Sequence, residues 1–164
     1  CVLLALPYGC GDVEAAELFD DELLAALHED ETASVPDQVS PADLDSDHML
    51  LLEDGHCLRN HALAACERPD LRGERAILGT SLHTLVQMVD NQLGVTLLPR
   101  MAVDAGILEG TRVVARPLAS SSARRRIALV WRRKSPREEE FRLLADFFIS
   151  ARNGTINQAD NKAA

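Results

Sequence analysis

The most informative part of this sequence is Thr80-Ser-Leu-His-Thr-Leu-Val-Gln-Met-Val-Asp-Asn-Gln-Leu-Gly-Val-Thr-Leu-Leu-Pro99, a run of 20 residues. Thr80 and Ser81 both have side chains suited to cap the N-terminus of a helix. From Leu82, leucine and valine recur at i, i+3, i+4, i+7 and i+11, which places them on one helical face. Gly94 follows in the position of a C-terminal cap. A strand comes next, so this stretch predicts a helix followed by a strand.

Strand-like runs alternate with helical patterns along the rest of the chain. This alternation argues for an α/β fold with at least partly parallel sheets. The first run, 1–6, is apolar and is consistent with a buried parallel strand. Further strands are predicted at 18–27, after an acidic loop, and at 48–52, 76–78, 95–98, 113–114 and 126–131, with further helices at 57–66, at 101–108 and from Ser135.

The last helix starts with the capping-box pattern Ser135-Pro-Arg-Glu138. Beyond it, residues 151–164 contain few apolar side chains, and this composition predicts a flexible C-terminal tail. The buried stripe of the helix is predicted to consist of Phe141, Leu144, Ala145 and Phe148.

A second stretch, Glu53-Asp-Gly-His-Cys-Leu-Arg-Asn-His-Ala-Leu-Ala-Ala-Cys66, contains two cysteines nine residues apart. Asp54-Gly55 predicts a turn, and the leucines and alanines that follow favour a helix from Cys57 onward. In a helix, residues nine apart are separated by roughly 13 Å and about half a turn. A disulfide requires Cα atoms within about 7 Å. A bond between Cys57 and Cys66 would therefore require the segment to unfold or bend, as a switch does.

Cys57 has features of a reactive thiol. The thiolate is the reactive species, and it is favoured by a helix N-terminus, by His56 and by Arg59. Glu53 and Asp54 oppose it. Reaction with a peroxide would give a sulfenic acid, and a second thiol such as Cys66 converts a sulfenic acid to a disulfide. The alternative is that both are buried, inert cysteines, since free Cys is among the most buried residue types.

Three blocks of the chain resemble the LysR-type transcriptional regulators, and the similarity runs from about residue 1 to 149. The first block resembles the redox segment of the peroxide-sensing branch. The second is similar to the helix-then-strand signature of the whole family, and the third resembles its returning strand. The blocks are Gly55–Arg59 with Cys66, Thr80–Val89 with Gly94–Pro99, and Arg124–Arg132.

This resemblance implies a two-lobed α/β effector domain of the periplasmic-binding-protein type at 1–150. The second lobe would span about 19–126, and the first lobe would be incomplete. Family members begin with a winged helix-turn-helix, a linker helix and the first half of the effector domain. None of these is matched here, so we expect the chain to be a fragment, with 151–164 as its tail.

The resemblance also implies a redox site. Cys57 would react with peroxide, and Cys66 would resolve the product as a reversible disulfide. Arg125 and His56 would support the peroxide pocket. The alternatives are that Arg125 belongs to a solvated basic strand end and that His56 is a turn histidine whose hydrogen bonds are satisfied.

In the same family the helix after Ser81 takes part in a dimer interface. Met88, Val89 and Asn91 are therefore interface candidates, and the alternative is that this helix packs on its own sheet. The implied partners are a second copy, in a homodimer or homotetramer, promoter DNA through the N-terminal domain alone, RNA polymerase and a cellular dithiol reductant. No cofactor and no enzymatic activity are implied.

Composition limits the classes of function. The formal net charge of −9 makes this segment a poor candidate for contacting DNA phosphates. No apolar run reaches the ~20 residues needed to span a membrane. Four cysteines without a secretion signal indicate a reducing cytoplasm, where a disulfide is usually transient. Cys1 and Cys10 are interpreted as structural or incidental.

Three alternative functions stay open on sequence alone. Zinc-ligand types are present at His56, Cys57, His61 and Cys66. Helical spacing puts Cys57 and His61 on one face and Cys66 on the opposite side, so a full tetrahedral set does not converge. A thiol peroxidase would need a recognised peroxidase signature, which is not present. A LysR-type effector domain that binds a small organic ligand is opposed by the cysteine pair.

Overall fold

The computed structural model describes residues 1–7, 11–44, 46–54, 57–66 and 77–160, and for 34, 46 and 153–160 the backbone alone. The chain divides into two compact units, unit 1 (Cys1–Asp20 and Arg126–Ala164) and unit 2 (Asp21–Arg125). The strands of the described part are β1 (Val2–Leu6), β2 (Val13–His28), β3 (Leu50–Leu52), β4 (Ile77–Gly79), β5 (Thr96–Pro99), β6 (Val113–Pro117) and β7 (Arg124–Arg132). The α-helices are α1 (Cys57–Ala65), α2 (Leu82–Asp90), α3 (Arg100–Asp104) and α4 (Glu138–Asp160), and short 3-10 helices lie at Glu29–Ser34, Pro41–Asp43 and Ser46–His48. No helix among the described residues combines the length and the apolar content of a membrane span.

Unit 1 is built on β1, β7 and α4. β1 pairs antiparallel with β7, with Leu3 opposite Leu129. The prediction of a buried parallel strand at 1–6 is therefore wrong, and Val2 and Leu3 are 54% and 46% exposed. An apolar run does not reveal strand direction, and β1 is the end strand of the order β1-β7-β2-β5. The core of this unit consists of Ala5, Leu18, Ile127, Leu129, Trp131 and Ala145, with Phe141 and Phe148 packed against it.

The buried face of α4 differs from the prediction, because Ile149 packs against the core and Leu144 does not. Phe141, Ala145 and Phe148 pack into the core as expected, but Leu144 is 37% exposed. Neighbouring helical residues point about 100° apart, so a stripe centred on Ala145 excludes Leu144. The helix begins at Glu138 and continues to Asp160, so the expected tail is helical over 151–160. Extending an existing helix adds one hydrogen bond for each residue that becomes ordered. Its free-energy cost is therefore far smaller than the cost of starting a new helix.

β2 is a single strand of 16 residues. The acidic loop expected before Leu18 is instead its first half. The acidic side chains there are balanced by arginines distant in sequence, since Arg126 pairs with Glu17 and Asp20, and Arg142 pairs with Glu14. Charged side chains on an exposed strand face are compatible with a strand when opposite charges lie across from them.

Unit 2 contains the second half of β2 between two antiparallel partners. Ala26 of β2 faces Thr96 of β5 and Ala115 of β6. β3 and β4 pair in parallel, so the predicted partly parallel sheet structure is confirmed. The core of this unit is dominated by leucine and valine from these strands and from α1 and α2.

The helix predicted after Ser81 is confirmed, with an earlier end. The Ser81 side chain accepts a hydrogen bond from the Thr84 N–H, 3.1 Å, and the helix ends at Asp90. Gln92 rather than Gly94 takes the left-handed conformation that closes it, φ +57°. Leu93 therefore lies beyond the helix and is 48% exposed instead of buried. α3 also ends before the predicted residue 108, and Gly106 (φ +84°) lies in the turn that follows.

Candidate functional site

The two cysteines of the second stretch lie at opposite ends of α1, with Cys57 as its first residue and Cys66 directly after its last. The helix begins at Cys57, as predicted, and the Cys66 N–H donates to the Ala62 carbonyl at 3.0 Å, which extends the helical bonding to Cys66. Cys57 is half-buried and Cys66 is 3% exposed; with Cys1, these described cysteines are free thiols. In a continuous helix their Cα atoms are roughly 13 Å apart, too far for a disulfide.

Arg59 fixes the start of α1 against the end of β3. It is 7% exposed, its Nη1 donates to the Leu52 carbonyl at 3.0 Å, and its Nε lies 3.3 Å from Asp54 Oδ1. These contacts direct the guanidinium towards β3 and Asp54, so Arg59 anchors the start of α1 to both. Gly55 and His56 lie outside the described residues.

Cys57 lies on the wall of a cavity of about 600 Å³. The cavity lies between the end of β3, the start of α1, the N-terminus of α2 and the end of α3. Its polar lining comes from Thr80, Ser81 and His83. Its other lining residues are Leu52, Leu58, Leu82, Ala102, Ala105, Gly106 and Ile107.

Arg125 is paired with a fully buried carboxylate. Its Nη2 lies 2.8 Å from Asp21 Oδ2, and its Nε donates to the same oxygen at 2.9 Å. The other Asp21 oxygen accepts the Met101 N–H at 3.0 Å. Asp21 is 0% exposed. Arg125 does not line the Cys57 cavity, so in this conformation its guanidinium holds Asp21 rather than a group beside Cys57.

The three dimer candidates have different surroundings. Val89 is 0% exposed and belongs to the core of unit 2. Met88 is half-buried and packs against that core. Asn91 is exposed, and its Nδ2 donates to the Gln87 carbonyl at 2.7 Å. Val89 thus serves packing inside its own unit, and Asn91 is the candidate with an accessible side chain.

The possible metal ligands do not gather in the described part of the chain, where no group of three or more His, Cys, Asp or Glu side chains could hold an ion. Cys66 is buried in the core, His61 is half-buried, and His56 lies outside the described residues.

Sequence reasoning singled out Cys57 as a candidate, but it did not predict the cavity that Cys57 lines. Thr80 and Ser81 carried a signal for a helix start, not for proximity to a thiol. Ala102 and Ala105 carried no functional signal, because they reach the cavity through the tertiary packing of α3. Asp21 was missed since its partner Arg125 is 104 residues away.

Comparison with known proteins identifies the family. The model of the LysR substrate binding domain matches residues 1–152. The chain belongs to the LysR substrate-binding-domain family. It is similar to the reduced regulatory domain of OxyR2 from Vibrio vulnificus, with 35% identity, a TM-score of 0.79, and coverage of 90% of this chain and 70% of that one. It is also similar to the reduced OxyR regulatory domain from Pseudomonas aeruginosa, with 30% identity, a TM-score of 0.73, and coverage of 90% and 70%. These likenesses confirm the two-lobed LysR effector fold predicted from the sequence.

Two transcriptional regulators are among the curated relatives of this chain. The DNA-binding transcriptional dual regulator OxyR of Escherichia coli K12 is 35% identical over 165 residues, covering 99% of this chain and 53% of the relative. The HTH-type transcriptional regulator EstR of Acinetobacter baylyi is 34% identical over 145 residues, covering 88% and 48%. The chain thus spans about half the length of the curated relatives it matches.

Proposed function

We propose that this chain is the regulatory part of a hydrogen-peroxide-sensing transcriptional regulator, switched by a reversible disulfide between Cys57 and Cys66. The observation that carries the proposal is the placement of the two free thiols. Cys57 lies at the first residue of α1 on a cavity wall, and Cys66 is buried after the last residue of the same helix. The similarity to OxyR regulatory domains supports the same reading.

In the first step the Cys57 thiolate attacks one oxygen of the peroxide. An S–O bond forms and the O–O bond breaks, so sulfur is oxidised to the sulfenic acid and the leaving hydroxide is protonated to water. His56 and Arg125 are the proposed pocket residues. For Arg125 this role requires a rearrangement that releases it from Asp21.

In the second step Cys66 must leave the core. Its thiolate attacks the Cys57 sulfur, an S–S bond forms, the S–O bond breaks and the hydroxide leaves as water. The C-terminal half of α1 has to unwind, and Leu63, which is 3% exposed, is drawn out with it. Exposing a buried leucine costs about 1.5–3 kcal/mol. The conformational change is therefore coupled directly to the redox step.

Partners follow from the proposed function. A second copy would pack near α2, where Asn91 is exposed and Met88 is half-buried, and the assembly would be a homodimer or homotetramer. DNA would be contacted through a domain outside this chain, with RNA polymerase as the downstream partner. A cellular dithiol would reduce the disulfide and reset the switch.

The test is mass spectrometry of alkylated peptides from the full-length protein, before and after a few equivalents of hydrogen peroxide. We expect the loss of two thiols and one cross-linked peptide pair joining Cys57 to Cys66. Cys66→Ser should stop at the sulfenic acid of Cys57, which a dimedone-type probe would label. Two thiols that stay fully alkylatable would overturn the proposal.

A second candidate is a LysR-type effector domain that responds to a small organic ligand without thiol chemistry. The cavity of about 600 Å³ favours it, because sites for small ligands usually measure about 300–1,000 Å³. The same experiment separates the two functions, since this candidate leaves both thiols unreacted.

A further inference from the structure

The cavity beside Cys57 is larger and more apolar than a hydrogen peroxide molecule requires. Hydrogen peroxide has only two heavy atoms, and on this measure of volume a cavity needs only about 10–15 Å³ to hold one water. A cavity of about 600 Å³ therefore has room for a molecule much larger than the oxidant. Its lining is mostly aliphatic, with Leu52, Leu58, Leu82, Ala102, Ala105 and Ile107 providing six of the eleven lining residues.

We propose that the cavity beside Cys57 binds the apolar part of an organic hydroperoxide, so that Cys57 reacts with alkyl or aryl hydroperoxides as well as with hydrogen peroxide. This inference rests on the proposed function, because it requires Cys57 to be the peroxide-reactive thiol. It extends that function by naming alkyl and aryl hydroperoxides as the class of oxidant that the lining of the cavity would favour.

The lining has polar and apolar parts. Cys57 lies at the N-terminus of α1, and Thr80, Ser81 and His83 at the N-terminus of α2 provide the polar groups. The hydroperoxide group would meet Cys57 at this side. The hydrocarbon would lie against α3, where Ala102 and Ala105 leave open space because their side chains are small. Burying hydrocarbon there is favourable by roughly 25 cal/mol per Å².

The reaction balances without another reagent. The thiolate sulfur of Cys57 attacks the terminal oxygen of the hydroperoxide, an S–O bond forms and the O–O bond breaks. Sulfur is oxidised by two electrons to the sulfenic acid, and the alkoxide that leaves takes up a proton to become an alcohol. Cys66 then resolves the sulfenic acid as in the proposed function.

The test compares cumene hydroperoxide with hydrogen peroxide as oxidants of Cys57 in the full-length protein. The rate constant for each is divided by that of free cysteine at the same thiolate fraction, which removes their intrinsic difference in reactivity. In an apolar pocket one methylene group is worth about 10- to 200-fold in rate. We expect the normalised preference for cumene hydroperoxide to be at least about 10-fold.

Ala105→Phe fills the cavity from a position that is exposed at the end of α3, so the fold should tolerate it. We expect it to reduce the normalised preference by at least about 10-fold, while the size-conserving Ala105→Ser retains the preference. Ala33→Phe makes the same change at an exposed residue away from the cavity and serves as the matched control.

Three outcomes are distinguishable. A protein that reacts with neither oxidant overturns the proposed function. A protein that reacts with hydrogen peroxide but shows no normalised preference leaves the proposed function standing and overturns this inference. This inference is also overturned if Ala105→Phe and Ala33→Phe reduce the preference equally, or if neither variant reduces it. The hydrocarbon would then not lie in this cavity.

Discussion

Removing the guanidinium of Arg125 should be one of the most destabilising single changes in unit 2. Asp21 is 0% exposed, and it accepts hydrogen bonds from Arg125 Nε at 2.9 Å and from the Met101 N–H at 3.0 Å. Arg125→Ala leaves this carboxylate buried with a single remaining donor. Losing one partner of a buried ion pair costs about 3–5 kcal/mol, because the other charge is left uncompensated.

The control is the neighbouring pair on the same two strands. Arg124 Nη2 lies 3.6 Å from Glu22, and the two side chains are 63% and 40% exposed. Exposed pairs contribute about 0–1 kcal/mol, so Arg124→Ala should have little effect. The assay is hydrogen exchange of peptides covering β2, α3 and β7 in the full-length protein, with the change in opening free energy as the readout.

A double variant separates the two roles considered for Arg125. Asp21→Asn removes the buried charge but keeps an acceptor for the Met101 N–H. Combined with Arg125→Ala, it should recover at least about half of the lost stability. If Arg125 acts only through the fold, the rate at which hydrogen peroxide oxidises Cys57 recovers as well; if it also serves the peroxide pocket, stability recovers and the rate does not. If Arg125→Ala loses no more opening free energy than Arg124→Ala, then Arg125 does not compensate the buried charge of Asp21.

Three further changes give direct tests of the structure. Gly94 has φ +149°, and a Cβ there would lie 1.9 Å from the His48 carbonyl oxygen, so Gly94→Ala should destabilise unit 2 in thermal unfolding by more than about 3 kcal/mol. Gly110→Ala has a positive φ but no atom within 4 Å of the new Cβ, and it should cost only about 1–2 kcal/mol; equal losses would contradict the clash. Leu63→Ala weakens the packing of α1, and stopped-flow thiol loss should show faster disulfide formation with an unchanged first step; an unchanged second step would mean that α1 does not unwind. Arg59→Ala should lower the opening free energy measured by hydrogen exchange at the end of β3 by about 1–3 kcal/mol. Unaltered exchange would show that the hydrogen bond from Arg59 to Leu52 does not stabilise β3.

Local signals explain which elements could be predicted from the sequence. Ser81, the periodic leucines and valines of α2, and the strand before Pro99 lie within 20 consecutive residues, and the structure confirms that helix and strand. Capping and amphipathic periodicity depend on residues a few positions apart, so they are visible in a sequence. The same locality explains why α1 was predicted from Cys57 onward.

Long-range contacts explain what was missed. The stretch before Leu18 was predicted to be an acidic loop, whereas Glu17 pairs with Arg126 of β7 and Glu14 pairs with Arg142 of α4. The direction of β1 depends on its partner β7, more than 120 residues away. The cavity depends on α3 packing near α1, which no spacing in the sequence encodes. Residue types predicted the chemistry of Cys57, but tertiary contacts decide what surrounds it.

The burial of Cys66 also bears on how the proposed switch resets. A disulfide to Cys57 would hold Cys66 and Leu63 outside a core in which each is 3% exposed in the reduced form. If withdrawing them costs about 3 kcal/mol, that free energy is released again on reduction. For a two-electron couple, 30 mV corresponds to about 1.4 kcal/mol, so the cost raises the reduction potential by roughly 60 mV. The packing that opposes oxidation would therefore favour reduction by a cellular dithiol, and the same buried residues would account for both the coupling and the reversibility of the proposed switch.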